Sequence, residues 1–167
     1  NASLRTLDVR GCPGLYSLTC NACGLSELLM DNPSLDHLDL WGNDLTELDL
    51  STCPDLTYLR CDDNLISTMD LTKTPKLRDA TCGSDKLSSI DISQCPELLY
   101  LSIDGSPISS LGLSACPNLE ILYIPETGIT SLDLSHNPNL TMLEAQDTHL
   151  TSLDLSSNRK LQSFNIT

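Results

Sequence analysis

Eight aliphatic residues, Leu4, Leu25, Leu45, Ile66, Leu87, Ile108, Ile129 and Leu150, each open nearly the same segment, at steps of 21, 20, 21, 21, 21, 21 and 21 residues. A period that strict means one supersecondary unit stacked on copies of itself, because a single short repeat cannot bury its own apolar face. The chain is therefore predicted to form one domain, residues 1–167, folded as a right-handed solenoid of about eight coils. Its function should lie on the surface. With one Phe, one Trp and four Tyr, the chain cannot build an aromatic-centred core, so leucine and isoleucine in register must fill it.

Each repeat splits into two half-repeats of similar design. In the unit from Ile129 to His149, the first half places Ile129, Leu132, Leu134 and Asn137 in an LxxLxLxxN pattern, and the second places Leu140, Leu143, Ala145 and Thr148 likewise. Leu132 to Leu134 and Leu143 to Ala145 alternate with polar residues, the period-two signature of a strand. Proline marks the turn between halves at Pro13, Pro33, Pro54, Pro75, Pro96, Pro117 and Pro138, where a missing N–H breaks no ladder; Arg159 replaces it in the last repeat. Two strands and two turns in about 21 residues leave no room for a substantial helix. Parallel β-strands are expected on both sides, with little or no helix and weak curvature. The second repeat is one residue short around Asp31, Asn32 and Pro33, which predicts a distorted turn there.

The pattern resembles the leucine-rich repeat family along the whole chain, through Leu4-Leu7-Val9-Cys12, Leu45-Leu48-Leu50-Cys53 and Leu150-Leu153-Leu155-Asn158. The short period and doubled motif are similar to the bacterial surface-protein subclass that includes internalin-like, cysteine-bearing repeats. Cys20, Cys61 and Cys82 stand in that family's cysteine position, whereas Leu40, Ile103, Ile124, Ala145 and Ile166 depart from it, so any cysteine ladder is short and interrupted. The resemblance implies an extracellular or cell-surface location. The last repeat halts at Ile166-Thr167 without the polar cap that solenoids need, so the chain is expected to be a piece of a longer protein.

Charge narrows the partners. A formal net charge of −14 with only nine Lys and Arg argues against nucleic acid, whose affinity comes from clustered cations. It also disfavours an anionic membrane surface, and no apolar run approaches the ~20 residues of a membrane span.

The two strand sets differ in their outward residues. On the first, Asp8, Asp49, Asp70, Asp91, Asp133 and Asp154 form a monotonous column flanked by Thr68, Ser89, Ser110, Ser131 and Ser152, which reads as scaffold. A calcium array is the sharper alternative, but single parallel carboxylates supply few ligands per ion, and the glycine- and aspartate-rich turn of calcium-binding β-rolls is absent. On the second, the outward residues vary: His37, Asp39 and Trp41, then Tyr58, Arg60 and Asp62, then Tyr100, Ser102 and Asp104, then Ile121, Tyr123 and Pro125. Variable side chains on a constant frame suit recognition, and amphipathic aromatics supply contact area at low entropic cost. The bland alternative is that exposed aromatics simply favour strand packing.

Eight cysteines invite a disulfide framework, but their positions argue for free thiols. Cys12, Cys53, Cys95 and Cys116 occupy the ninth place of the first half, where Asn137 and Asn158 stand later, and are expected to turn inward; Cys20, Cys61 and Cys82 fall on a buried strand position. Adjacent pairs Cys61/Cys82 and Cys95/Cys116 lie within reach, yet parallel Cβ vectors seldom give the disulfide torsion. Cys20-x-x-Cys23 has no second pair at zinc-finger spacing. No metal or cofactor is expected. His37, His136 and His149 sit in different repeats at different points of the coil, and no GxSxG, HExxH or phosphate-cradling glycine loop occurs, so catalysis is not expected.

The resulting expectation is a non-enzymatic binding module of a bacterial surface or secreted protein, monomeric, taking a protein or glycan ligand on His37, Asp39, Trp41, Tyr58, Arg60, Asp62, Tyr100, Ser102 and Tyr123. A spacer that holds another domain away from the cell, with no ligand of its own, is the rival.

Overall fold

The computed structural model describes residues 4–167. A strand of three residues cannot satisfy its own backbone, so each coil must pair with the coils on either side. Twelve such strands form among the described residues. On the first-half side, β1 (Thr6–Asp8) pairs with β3 (Glu27–Leu29), and β6 (Thr68–Asp70) with β8 (Ser89–Asp91). On the second-half side, β2 (Ser17–Thr19), β4 (His37–Asp39), β5 (Tyr58–Arg60), β7 (Asp79–Thr81), β9 (Tyr100–Ser102), β10 (Ile121–Tyr123), β11 (Met142–Glu144) and β12 (Ser163–Asn165) make one parallel sheet in coil order.

Both sides thus carry parallel strands, and no described residue is helical, but pairing is uneven. The second-half sheet runs unbroken through all eight coils, with Leu18, Leu38, Leu59, Ala80, Leu101, Leu122, Leu143 and Phe164 in register. Among the described residues the first-half side holds two separate ladders. In the sixth coil Gly112 stands where most coils have Asp, and a glycine weakens a strand. Between the second and third coils the cause is the missing residue. β1 pairs with β3 at an offset of 21 (Leu7 with Leu28), whereas β2 pairs with β4 at 20 (Leu18 with Leu38), so the deletion is absorbed between β3 and β4. In seven coils the amide of the ninth residue donates to the carbonyl three back, as Cys53 to Leu50 at 3.0 Å and Thr74 to Leu71 at 3.1 Å. In the second coil the Asp31 amide instead donates to Asn32 Oδ1 at 3.1 Å, which is the distortion expected there. A depression of about 340 Å³ lined by Glu27 to Met30, Thr46, Glu47 and Asp49 opens beside it.

The core is a stack of leucine rungs: Leu35, Leu38, Leu56, Leu59, Leu77, Leu98, Leu101, Leu119, Leu122, Leu140 and Leu143 are fully buried. Polar rungs tie the coils together at the turns. Asn137 Nδ2 donates to the Leu113 and Cys116 carbonyls at 3.0 and 2.8 Å, and Asn158 Nδ2 to those of Leu134 and Asn137 at 3.0 and 2.9 Å. Cysteine makes a weaker bond of the same kind, since Cys95 Sγ donates to the Leu71 carbonyl at 3.3 Å. This explains why asparagine and cysteine alternate at that place.

All eight cysteines are free thiols, and seven are buried. Cys53, Cys95 and Cys116 are buried as their position predicts, and Cys12 is exposed because no described coil covers it on the side where Asn137 and Asn158 reach their carbonyls. Burial pushes the thiols of Cys20 and Cys116 up to about 11 and that of Cys95 to about 12, so little thiolate exists at neutral pH. Titration of the native chain with a thiol-reactive chromogenic disulfide should therefore register one fast thiol, lost in Cys12→Ser, and the remainder only on denaturation. Several fast thiols would show that the coils breathe far more than this packing allows.

Second-half turns have their own signature. The residue four past the central strand position is left-handed in six coils: Ala22, Gly42, Asp63, Gly105, Glu126 and Asp147 have φ between 48 and 69°. Ser84 in the fourth coil does not share it; its amide donates to Ser106 Oγ at 3.1 Å and its Oγ accepts from the Leu87 amide at 3.2 Å.

Candidate functional site

The pleat of the eight-stranded sheet turns its first and third strand residues outward, and stacking aligns them in columns about 4.8 Å per step. One column reads Ser17, His37, Tyr58, Asp79, Tyr100, Ile121, Met142 and Ser163; the next reads Thr19, Asp39, Arg60, Thr81, Ser102, Tyr123, Glu144 and Asn165. Trp41 and Asp62 follow just past their strands. Along coils two to seven most of these side chains are half-buried by their neighbours, whereas the first-half Asp column is exposed.

Several of the candidate residues come together in the second and third coils. The rings of His37 and Tyr58 stack with centroids 4.2 Å apart and planes within 8°. The Arg60 guanidinium lies 5.3 Å from the Trp41 ring centroid, within cation–π range, while its Nε contacts Asp62 Oδ1 at 2.9 Å. Trp41 Nε1 donates to Asp63 Oδ2 at 3.0 Å, and Asn21 Nδ2 donates to Asp39 Oδ2 at 3.0 Å. The ion pair affects its members differently. The Asp62 carboxylate raises the Arg60 guanidinium above its ordinary range, but burial pushes Asp62 itself upward despite the cation beside it. Loss of water outweighs neutralisation at the carboxylate, so the pair is a fixed feature of the surface more than a source of stability.

Other candidates stand apart. Tyr100 is separated from Tyr58 by the strand carrying Asp79, and Tyr123 lies in the neighbouring column on the strand after Tyr100. Ser102 is 2% exposed and donates to Asp104 Oδ1 at 2.9 Å, so it orients that carboxylate and offers no surface of its own. The fourth coil supplies a residue that sequence reasoning passed over. Asp79 occupies the same register position as the flanking Tyr58 and Tyr100, and that register was its only signal. Burial alone raises its carboxyl above the ordinary range.

The first-half Asp column has a structural role within each turn. Asp49, Asp70, Asp91, Asp133 and Asp154 each accept, through Oδ1, the amide two residues on, at 2.9, 2.8, 2.9, 2.9 and 2.8 Å. These are Asx-turns that close the strand into the bend. Hydrogen bonds from the following Ser or Thr hold these carboxyls below the ordinary range, and Arg10 lowers Asp8 to about 2. A carboxylate engaged this way is a poor free ligand, which accounts for the column as scaffold. Nearby, Ser135 Oγ and His136 Nδ1 lie 3.0 Å apart, but both are exposed and Asp133 faces the Ser135 amide, so no third group orients the ring as a base.

Family models described as "Leucine Rich repeats (2 copies)" and "Leucine Rich repeat" match residues 33–73 and 146–166. The fold is similar to the functional domain of InlJ from Listeria monocytogenes, described as including a cysteine ladder, with TM-score 0.93 and 30% identity over 98% of this chain. The chain spans 37% of that structure's length. Internalin C2 from Listeria monocytogenes shares the fold at TM-score 0.59 and 22% identity, covering 80% of this chain and 72% of that one. A leucine-rich repeat protein of Leptospira interrogans does so at TM-score 0.77 and 19% identity, covering 98% and 55%. No curated protein sequence matches.

Proposed function

Because the chain belongs to the leucine-rich repeat family, in its internalin-like, cysteine-bearing form, we propose that it is a non-enzymatic recognition module of a bacterial surface or secreted protein, with its ligand face on the eight-stranded sheet. One observation supports this most: the side chains that differ from coil to coil lie on the one sheet that runs unbroken, so they form a continuous and preordered surface. A surface already held in its bound geometry loses little conformational entropy on association, so modest contacts accumulate. The stack of His37 on Tyr58 and the Arg60 contact with Trp41 rigidify the aromatic anchors that would carry the energy. A flat sheet of this kind suits an extended macromolecular ligand, protein or glycan, better than an enclosed small molecule.

Arrays of displayed peptides and of glycans provide the test. Hits on the native chain should disappear in a Trp41→Ala, Tyr58→Ala, Tyr123→Ala variant, with losses of about 2 kcal/mol or more for each true anchor. A variant at the first-half column, Asp70→Asn with Asp91→Asn, should retain them. Binding that survives the triple variant would overturn this sheet as the ligand face, and an array with no hits at all would favour the spacer.

A further inference from the structure

The fourth coil breaks the aromatic column with a carboxylate, and we propose that Asp79, set between Tyr58 and Tyr100, is the docking point for a cationic side chain, lysine or arginine, of a protein ligand. The proposal rests on reading this sheet as the ligand face and names the chemistry that the face selects. Three features converge on it.

The first is an aromatic face turned toward the slot. Tyr58 stacks flat on His37 at 4.2 Å, close to the step between coils, so the ring planes lie across the solenoid axis and the opposite face of Tyr58 looks toward the fourth coil, where Asp79 is its register partner. Tyr100 closes the other side. The strands bearing the two tyrosines are two steps apart, roughly 9.6 Å. An aliphatic stem or planar guanidinium in contact with a ring on each side needs about 7 Å, so the slot admits one.

The second is an uncompensated charge. The nearby cations are already engaged, Arg60 with Asp62 at 2.9 Å and Arg78 with Glu97 at 3.0 Å, and no side chain among the described residues bonds the Asp79 carboxylate. The same charge acts on both flanking tyrosines: burial raises both hydroxyls most, Asp39 and then Asp79 raise that of Tyr58 further, and at Tyr100 Asp79 adds to burial against the lowering hydrogen bond of Ser102. A partly desolvated carboxylate beside the open face of Tyr58, with Tyr100 as its other register neighbour, attracts a cation by charge and by ring quadrupole together. The surrounding face adds Asp39 and Asp104 to a chain of net charge −14, which complements a basic peptide.

The third is that the recess cannot fill. Gly83 occupies the position that Trp41 and Asp62 hold in earlier coils, and a Cβ placed on it would meet the Asp104 carbonyl oxygen at 2.4 Å and Asp104 Oδ1 at 2.7 Å. Beside tall Tyr58, Arg60 and Asp62, the fourth coil presents only Asp79 and Thr81. Gly83 is buried against Asp104, so the slot is bounded at that end by the fifth coil, and the only outward side chains of the fourth-coil strand are Asp79 and Thr81.

The test is an NMR titration of the whole chain with blocked tripeptides, acetyl-Gly-Arg-Gly-amide, acetyl-Gly-Lys-Gly-amide and acetyl-Gly-Gln-Gly-amide, and with N-acetyllactosamine. The Arg and Lys peptides should shift amides of β5, β7 and β9 and bind at least about tenfold more tightly than the Gln peptide. That preference should vanish in the isosteric Asp79→Asn and weaken in Tyr100→Leu, which keeps the charge and removes one ring. Equal binding of Arg and Gln peptides, a preference that survives Asp79→Asn, or tighter binding of the sugar than of the Arg peptide overturns the proposal. An array hit that is lost in the Trp41, Tyr58 and Tyr123 variant but indifferent to Asp79→Asn overturns the slot alone and leaves the ligand face standing.

Discussion

Replacing Gly83 with alanine is expected to destabilise the protein by about 3 kcal/mol, at the upper end of ordinary overpacking. The obstacle is backbone: the added methyl would lie 2.4 Å from the Asp104 carbonyl oxygen and 2.9 Å from its amide nitrogen, in the adjacent coil. A flexible side chain can swing aside, but here β7 and β9 would have to separate. In a chain of this size the melting temperature followed by far-UV circular dichroism should fall by about 6–12 °C. Gly112→Ala is the control, since a Cβ there meets nothing within 4 Å. If both variants melt within about 1 °C of the native chain, the fourth and fifth coils are packed less closely than these distances require.

Asn43→Ala should cost about 4 kcal/mol by a different route. The buried side chain satisfies four backbone groups at once: Oδ1 accepts from the Cys23 and Leu25 amides at 3.0 and 2.9 Å, and Nδ2 donates to the Cys20 and Leu40 carbonyls at 2.7 and 2.8 Å. Alanine leaves the Cys23 and Leu25 amides and the Cys20 carbonyl unpaired in a dry interior, where each orphan costs about 1–3 kcal/mol before relaxation, while the Leu40 carbonyl keeps its bond from Asn64 Nδ2 at 3.0 Å. Because the interactions of a solenoid are nearest-neighbour, the damage should stay local, with faster hydrogen exchange at the Cys23 and Leu25 amides and little change beyond the fourth coil. The half-buried Asn139, which donates to the Pro117 carbonyl at 3.1 Å and accepts from Lys160 Nζ at 2.7 Å, both in solvent-exposed contacts, offers the contrast: Asn139→Ala should lie within about 0.5 kcal/mol of the native chain. Equal urea midpoints for the two variants would falsify the account of Asn43 as a four-way bridge.

Much of the fold is legible in the residues. The inward leucines, the two halves of each coil, the proline turns and the turn distorted by the missing residue all follow from spacing, because each concerns residues within one repeat. Asn43 is legible as an inward residue in the same way. Its four partners are not, since two of them belong to the first coil.

The candidate site divides along the same line. That His37, Asp39, Tyr58, Arg60 and Tyr123 point outward follows from the pleat. That His37 and Tyr58 stack, that Arg60 crosses to Trp41 and that Ser102 is covered are contacts with surrounding side chains that the alternation of one strand cannot specify. Asp79 shows the gap most clearly. Read along its own repeat it is one acidic residue among many; read along the column it is a lone carboxylate between two rings.

By itself, then, the sequence determined the period, the inward face and the number of coils, because burial of apolar side chains acts at spacings of two to eleven residues. Tertiary structure alone decided which side became a continuous sheet and which outward residues touch. Those outcomes depend on register between coils, where a single missing residue between β3 and β4 changes the offset, and on contacts between residues about 21 positions apart whose order in the chain says nothing of their distance in space.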